Sequence, residues 1–306
     1  MTTQSDSKAV LVTRRTRFEE LVAQYNTEAQ AQFVIESRGA DFEEYRLEYQ
    51  NYLQSVNQVE AALKSAARVQ RLDREFLTNF IFGPQDIVVV VGQDGLVANT
   101  LKYLNGQPVI GINPDPKRFD GVLLPFEATD ISVIFRDVVR NTYQSEQITM
   151  AKAVLNDGQE LLAVNDLFIG PRYQTSARYE IEIDGKREVQ SSSGIIISTG
   201  LGSTGWLKSV VAGATGVAGA INSVDASFAW NAEQLKFAVR EPFPSQTTGT
   251  DLVYGEIAGN CNMKISSLMA GNGVIFSDGM VDDFLEFNSG VMVSLGLAPT
   301  KGLLIK

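Results

Sequence analysis

Five consecutive β-branched residues, Ile87-Val88-Val89-Val90-Val91, run straight into Gly92-Gln93-Asp94-Gly95. A run with no polar position offers no face to water. It needs cover on both sides, as a central strand of a parallel sheet has. Pro84 breaks the chain ahead of it. Val97, Leu101 and Leu104 recur at helical spacing behind it, and Val109-Ile110-Gly111-Ile112 reads as the next strand. Strand, helix and strand in that order predict a doubly wound α/β domain with ligands at the carboxyl ends of its strands. Upstream, Ala9-Val10-Leu11-Val12 is another short buried strand, and Phe18, Leu21, Val22 and Tyr25 mark a helix. A longer helix starts near Asp41, with Glu44 as its capping partner, just past Gly39. Its apolar face runs Phe42, Tyr45, Tyr49, Tyr52, Val56, Val59 and Leu63, so the three tyrosines are expected to pack the helix on the sheet.

The pattern changes after about Phe135. Alternating segments take over at Ile148 to Leu155, Leu161 to Ile169, Tyr179 to Ile183, Gly194 to Ser198 and Leu235 to Val239, with more beyond Val253. Asp157-Gly158, Asp184-Gly185 and Asn272-Gly273 are turn pairs that tolerate positive φ. These features predict a second, β-rich and mostly antiparallel domain, interrupted by the Ala- and Gly-rich stretch Trp206 to Ile221, which reads as partly helical. The chain of 306 residues is long enough for both, and the expected boundaries are 1–132 and 133–291.

Histidine is absent altogether, which removes Ser-His and Cys-His pairs, His-ligated metals and histidine as general acid or base. Ser191-Ser192-Ser193 therefore has no base to activate it. Chemistry must run on carboxylates, lysine, hydroxyls, backbone amides or an oxygen-held metal. A net charge of −10 argues against nucleic acid as a partner. The single cysteine, Cys261, excludes an intrachain disulfide and reads as a small core hydrophobe. No segment reaches the roughly 18 apolar residues of a membrane span. Residues 1–8 lack the pattern of a targeting peptide, so the expectation is a soluble, cytoplasmic protein without a membrane partner.

Three places can carry chemistry. Gly92-Gln93-Asp94-Gly95 ends a strand and opens a helix, where glycine brings amides close to a phosphate and an aspartate can steer a metal or take a proton. An ordinary turn with Asp94 as cap is the simpler account of those four residues. Gly200-Leu201-Gly202-Ser203-Thr204-Gly205 satisfies the dinucleotide GxGxxG pattern, with Asp225 at about the distance of a ribose-binding acid. Its neighbours read as antiparallel hairpins, which disfavours a Rossmann unit and leaves a glycine-rich nucleotide clamp or a plain turn. Asn165-Asp166 offers an amide and a carboxylate side by side. Arg118 can meet a phosphate, although a solvated loop charge is commoner, and Arg240-Glu241-Pro242 reads as a paired surface charge.

Taken in order, the Val-rich strand, GxDG, Asn-Asp, and Thr199-Gly200-Leu201-Gly202-Ser203-Thr204-Gly205-Trp206 resemble the NAD kinase family. The branch that includes the animal mitochondrial NAD kinase is the nearer match. Thr13-Arg14-Arg15-Thr16-Arg17-Phe18, Gly111 to Arg118, Ser176 to Ile181, Ser192-Ser193-Gly194, Val239 to Pro242 and Phe284 to Asn288 also look like that branch. The resemblance spans nearly the whole chain. It implies an N-terminal α/β domain of the kind shared with diacylglycerol kinases, a β-rich NAD-binding domain, and a C-terminal segment, about 292–306, that returns to the first domain.

The resemblance also implies an activity: ATP- and Mg2+-dependent phosphorylation of the adenosine ribose 2′-hydroxyl of NAD, giving NADP. Asp94 matches the catalytic aspartate. Gly92, Gln93, Gly95 and Leu96 match the stretch at the ATP phosphates. Asn165 and Asp166 match the pair that holds NAD, and Thr199, Gly202, Ser203, Thr204, Gly205 and Trp206 match the stretch lining the dinucleotide. The family commonly forms dimers or tetramers, so small-molecule nucleotides and copies of the chain are the implied partners. This sequence departs from the family at Gln93, where a second glycine stands, at Leu96, where a polar residue stands, and at Asp166, Gly205 and Trp206. Those departures keep two alternatives open: a catalytically impaired nucleotide-binding protein on the same scaffold, and a kinase of another hydroxylated substrate such as a lipid or sugar.

Overall fold

The computed structural model describes residues 8–219, 225–259, 263–280 and 283–306. Cys261 and Ile221 lie outside the described residues. The chain divides into two compact units, Met1–Glu146 with Leu303–Lys306, and Gln147–Gly302. The division falls later than the boundary expected at 132. Residues 303–306, the last few of the expected 292–306 segment, join the first unit.

The first unit is built on a six-stranded sheet with strands in the order Arg68–Asp73, Lys8–Thr13, Ile87–Val91, Pro108–Ile112, Gly302–Ile305 and Ser145–Ile148. The pairings along the first five are parallel. The β-branched strand sits between two neighbours and is buried at every residue, as its sequence requires. Helix Glu43–Lys64 lays Tyr52, Val56, Val59 and Leu63 into one core with Ile87, Val89 and Val91, joined by Ile131, Phe135 and Val138 of helix Ile131–Val139. The N-cap of the long helix is Phe42, not Asp41, and it makes no side-chain cap bond; Asp41, one residue earlier, accepts from the Glu43 N–H at 2.8 Å.

Tyr52 does more than pack. Its hydroxyl accepts from the Arg14 N–H at 2.8 Å and donates to the Val91 carbonyl at 3.1 Å, tying together the carboxyl ends of two strands. Burial pushes this phenol up to about 12, so it stays a neutral donor. Tyr49 stacks on Phe18, and Tyr45 lies beside Phe42 and the Arg17 guanidinium. Glu48, on the same helix, is buried. It survives there because Arg14 and Arg17 pair with it.

The second unit holds two six-stranded sheets. One runs Lys186–Ser192, Ala177–Ile183, Met263–Ser267, Met292–Leu297, Ala151–Leu155, Glu160–Ala163. The other runs Tyr254–Ala258, Gln234–Val239, Ile195–Ser198, Asp166–Pro171, Gly273–Ser277, Phe284–Glu286. All their pairings are antiparallel. Inward positions from both, including Ala153, Tyr179, Ile181, Ile195, Ile197, Phe237 and Ile265, form one core, as in a sandwich. Asp184 and Gly185, at φ 51° and 75°, make the tight turn between Ala177–Ile183 and Lys186–Ser192.

Two segments differ from the reading of the sequence. Leu161 to Ile169 is two strands, broken at Val164-Asn165, because the backbone N–H groups there turn to a side chain instead of a ladder. Arg68–Asp73 is a strand with no apolar run, since an edge position buries little. The Ala- and Gly-rich stretch forms helix Trp206–Val217. Among the described residues no helix is long and apolar enough to cross a membrane.

Candidate functional site

In the first unit the chain leaves strand Ile87–Val91 and enters helix Asp94–Leu101 within two residues. Gln93 is the N-cap at φ −119°, an extended conformation that any residue adopts, so glutamine causes no backbone strain there. Leu96 is buried and folds back over Gly92, where an added Cβ would meet its Cδ2 at 2.8 Å. Leu96 therefore faces the protein interior. Gly95 is exposed, and a Cβ added to it would meet nothing within 4 Å. The Asp94 and Gly95 N–H groups find no acceptor among the described residues, as expected of the first turn of a helix. They are free for an anion.

Asp94 is half-buried, and its Oδ1 accepts from the Leu123 N–H at 2.7 Å. That donor sits in a loop folded tightly over the neighbouring strand. The Asn113 N–H donates to Phe126 at 2.7 Å, and the Asn113 side chain donates to the Phe119 carbonyl at 3.0 Å. One carboxylate oxygen is thus fixed, and the other makes no hydrogen bond among the described residues. Arg118, in the same loop, is turned to Glu44 at 3.0 Å, Asp115 at 3.6 Å and Glu48 at 3.9 Å. Its guanidinium is committed to carboxylates.

In the second unit the Asn165-Asp166 turn is fixed from behind by Asp278. This carboxylate accepts from the N–H groups of Val164 at 3.0 Å, Asn165 at 2.7 Å and Asp166 at 3.2 Å. Its own N–H donates to the Asp166 carbonyl at 3.0 Å. Three amide donors on one carboxylate make a rigid turn. The Asn165 side chain makes no hydrogen bond among the described residues, and the shielded Asp166 Oδ1 has no partner. Burial pushes the Asp166 carboxyl up to about 7, and the charge of Asp278 adds to this, while the Ser198 hydroxyl partly offsets it.

The glycine-rich stretch packs on that turn. A Cβ on Gly202 would meet the Asn165 carbonyl at 2.2 Å and Asp166 Oδ1 at 2.8 Å, and one on Gly200 would meet the Ala229 carbonyl at 2.0 Å. These glycines serve close chain contact. Thr199 and Ser203 are buried and occupied internally: Thr199 Oγ1 donates to the Val164 carbonyl at 2.5 Å and Ser203 Oγ to the Gly200 carbonyl at 2.6 Å. Thr204 and Gly205 are exposed and Trp206 is half-buried. The Trp206 ring stacks on Phe168 at 5.6 Å, and Phe168 meets Phe276 at 4.8 Å. Strand Ile195–Ser198 pairs antiparallel on both sides, so GxGxxG here lies outside a Rossmann unit. Asp225 is exposed and caps Ser227.

Asp278 and Phe168 escaped the sequence reading. Asp278 contacts residues more than 110 positions away, and no local pattern marks that. Phe168 looked like one more core residue of a strand. Gly194, at φ 110°, has no room for a Cβ beneath the ring, a contact that only the folded chain reveals.

No family model matches the chain. Two curated relatives do. NAD kinase 2, mitochondrial, of Xenopus tropicalis is 25% identical, over 65% of this chain and 62% of that protein. NAD kinase of Saccharolobus solfataricus is 28% identical, over 40% of this chain and 46% of that protein. The chain therefore spans less than two thirds of the length of either. Among solved structures, an NAD kinase from Archaeoglobus fulgidus in complex with ATP superposes with a TM-score of 0.59 at 16% identity, over 98% of this chain and 93% of its own. Yeast NADH kinase complexed with NADH superposes with a TM-score of 0.60 at 12% identity, over 99% of this chain and 84% of its own. The two structures share the present fold, an α/β unit followed by a β-rich one. In sequence over part of its length, and in fold over nearly all of it, this chain is similar to NAD kinases.

Proposed function

We propose that the protein is an NAD kinase, transferring the γ-phosphoryl group of ATP to the adenosine ribose 2′-hydroxyl of NAD. The observation that carries this reading is the Asn165-Asp166 pair: an amide side chain with no hydrogen bond among the described residues beside a half-buried carboxylate, on a turn held rigid by Asp278. Such a pair suits vicinal ribose hydroxyls, which both donate and accept. Thr204, Gly205 and Trp206 are the accessible part of the adjoining stretch and would line the dinucleotide. Thr199, Gly202 and Ser203 support it from behind. The named ligands of the two solved relatives, ATP and NADH, favour the same substrate classes.

In this reading Asp94 orients the 2′-hydroxyl and accepts its proton as the oxygen bonds to the γ-phosphorus and ADP departs. The Leu123 N–H holds one Asp94 oxygen and aims the other. The Asp94 and Gly95 N–H groups, at an open helix start, take phosphate oxygens. Among the described residues no three acidic or cysteine side chains gather as a metal site. Magnesium that arrives on a nucleotide keeps phosphates and waters as most of its ligands and would need little from the protein, which leaves Asp94 to act as the base. That ion would offset phosphate charge. A homo-oligomer, dimer or tetramer, is the expected assembly.

Incubation with MgATP and NAD tests the reading, with NADP formation as the result expected. Tight NAD binding without NADP would instead identify a nucleotide-binding protein, and phosphorylation of a lipid or sugar alone would identify a different kinase.

A further inference from the structure

The long helix Glu43–Lys64 carries a second, polar face. Asn51, Gln54, Ser55 and Gln58 fall three and four residues apart on one side of it, beside the core face of Tyr52, Val56, Val59 and Leu63. Together they form one wall of a cavity of about 180 Å³ in the first unit. The rest of the wall comes from a single loop. Asn113 and Pro116 stand on the leg that leaves strand Pro108–Ile112, and Glu127 and Thr129 on the leg that enters helix Ile131–Val139. The loop is pinched at its base, where the Asn113 N–H donates to the Phe126 carbonyl at 2.7 Å. Between its legs the same loop carries the Leu123 N–H that holds Asp94 at 2.7 Å.

Ser55 is the residue that needs an account. It is 6% exposed, and its hydroxyl has no hydrogen-bond partner among the described residues. A helical hydroxyl commonly donates to the carbonyl one turn back, as Thr100 does to Leu96 at 2.7 Å. A buried hydroxyl left unpaired is costly. Ser55 borders the cavity, and a ligand there would pair it. The lining sets the class of that ligand. Amide and hydroxyl groups both donate and accept, which matches a molecule rich in hydroxyls. No lysine or arginine borders the cavity among the described residues, so an anion meets no counter-charge. The one bordering carboxylate, Glu127, is exposed, and a cation gains little from it. The Asn51 amide nitrogen donates to Asp115 Oδ2 at 3.0 Å, which ties the helix wall to the loop. The volume lies below that of sites for drug-sized molecules, so the ligand is small.

We propose that this cavity binds a small neutral polyol through Ser55 and its amide neighbours, and that the bound polyol clasps both legs of the loop that holds Asp94. No residue of either glycine-rich turn borders the cavity. The binding site stands apart from the reading of the protein as a kinase; only a consequence for turnover rests on that reading.

Titration of the full chain with glycerol and with myo-inositol, followed by ligand-observed NMR beside glycerol phosphate and putrescine as charged controls, tests it. Saturable binding of at least one of the two polyols, tighter than either control, is the result expected. Ser55→Ala, a change that a helix tolerates, should weaken that binding by about tenfold, the worth of one hydrogen bond to a buried hydroxyl. Bound polyol should also slow hydrogen exchange at the Leu123 amide in the wild type, and less so in Ser55→Ala at the same concentration. Equal polyol binding in wild type and Ser55→Ala would overturn the proposal. So would the absence of saturable binding, which would leave a recess for water only. Tighter binding of putrescine or glycerol phosphate would overturn the ligand class, and polyol binding with Leu123 exchange unchanged would overturn the clasp. NADP formation from MgATP and NAD is measured separately, without polyol, and its failure would sink the kinase reading while leaving this site in place.

Discussion

Two glycine-rich turns of this molecule look alike on paper and differ in kind. Gly92-Gln93-Asp94-Gly95 and Gly200 to Gly205 both follow a fully buried strand and both lead into a helix. At the first, Gly95 faces open space and two helix-start N–H groups lack acceptors among the described residues. At the second, the room beside Gly200 and Gly202 is already filled by the chain's own carbonyls at 2.0 and 2.2 Å. One turn leaves its glycine open, at the place where the proposed nucleotide would enter. The other uses glycine to bring a strand end against Asn165-Asp166. A spacing pattern records where glycine stands and not which of these it serves.

Alanine at each site should separate them. Gly202→Ala should cost about 3 kcal/mol or abolish folding, because backbone cannot yield as a flexible side-chain end can. Gly95→Ala should keep or raise stability by up to about 1 kcal/mol, since its φ is ordinary and helix propensity improves, while ATP use falls. Thermal melts and turnover read both. Equal destabilisation would erase the distinction.

Asp278→Ala removes the carboxylate that three amides share. A loss of roughly 2 kcal/mol and weakened NAD binding are expected, from buried donors left unpaired. Unchanged NAD affinity would show that the rigidity of the turn is irrelevant to the ligand.

Asp166 ties stability to pH. Its carboxyl lies near 7 in the folded chain against an ordinary 3.8, so the folded state holds the extra proton between those values. Stability from this group is therefore greatest at the acid end and falls as pH rises across that window. Asp166→Asn should raise the melting temperature at pH 8 by on the order of 2–4 °C and change it little at pH 4, with weaker NAD binding throughout. An equal shift at both values would remove Asp166 as the source.

The smallest effect is expected at Gln93. Its extended φ means that glycine relieves nothing, so Gln93→Gly should preserve or modestly improve ATP use. A marked loss, measured as kcat/KM for ATP, would make the glutamine side chain a ligand contact.

What the sequence displayed, and what it hid, follow from range. A strand buried on both faces must be apolar throughout, and residues 87–91 say so without reference to anything else. The turn pair Asp184-Gly185 announces its hairpin in two letters. Strand Arg68–Asp73 stayed hidden because an edge strand can be polar. Glu48 stayed hidden because its arginine partners lie more than 30 residues away. Leu96, read as a phosphate-side residue by its place in a motif, turns inward because helical geometry carries it over Gly92. The Asn165-Asp166 turn was legible as a polar pair, whereas the carboxylate that holds it belongs to another strand end.

The proposed reaction turns on Asp94 taking the proton of the attacking hydroxyl. The direct test compares Asp94→Asn with the wild type for NAD affinity and for NADP formation from MgATP and NAD. In Asp94→Asn, affinity should stay within a few fold and turnover should fall by roughly 100-fold or more. Near-normal turnover in Asp94→Asn would contradict it.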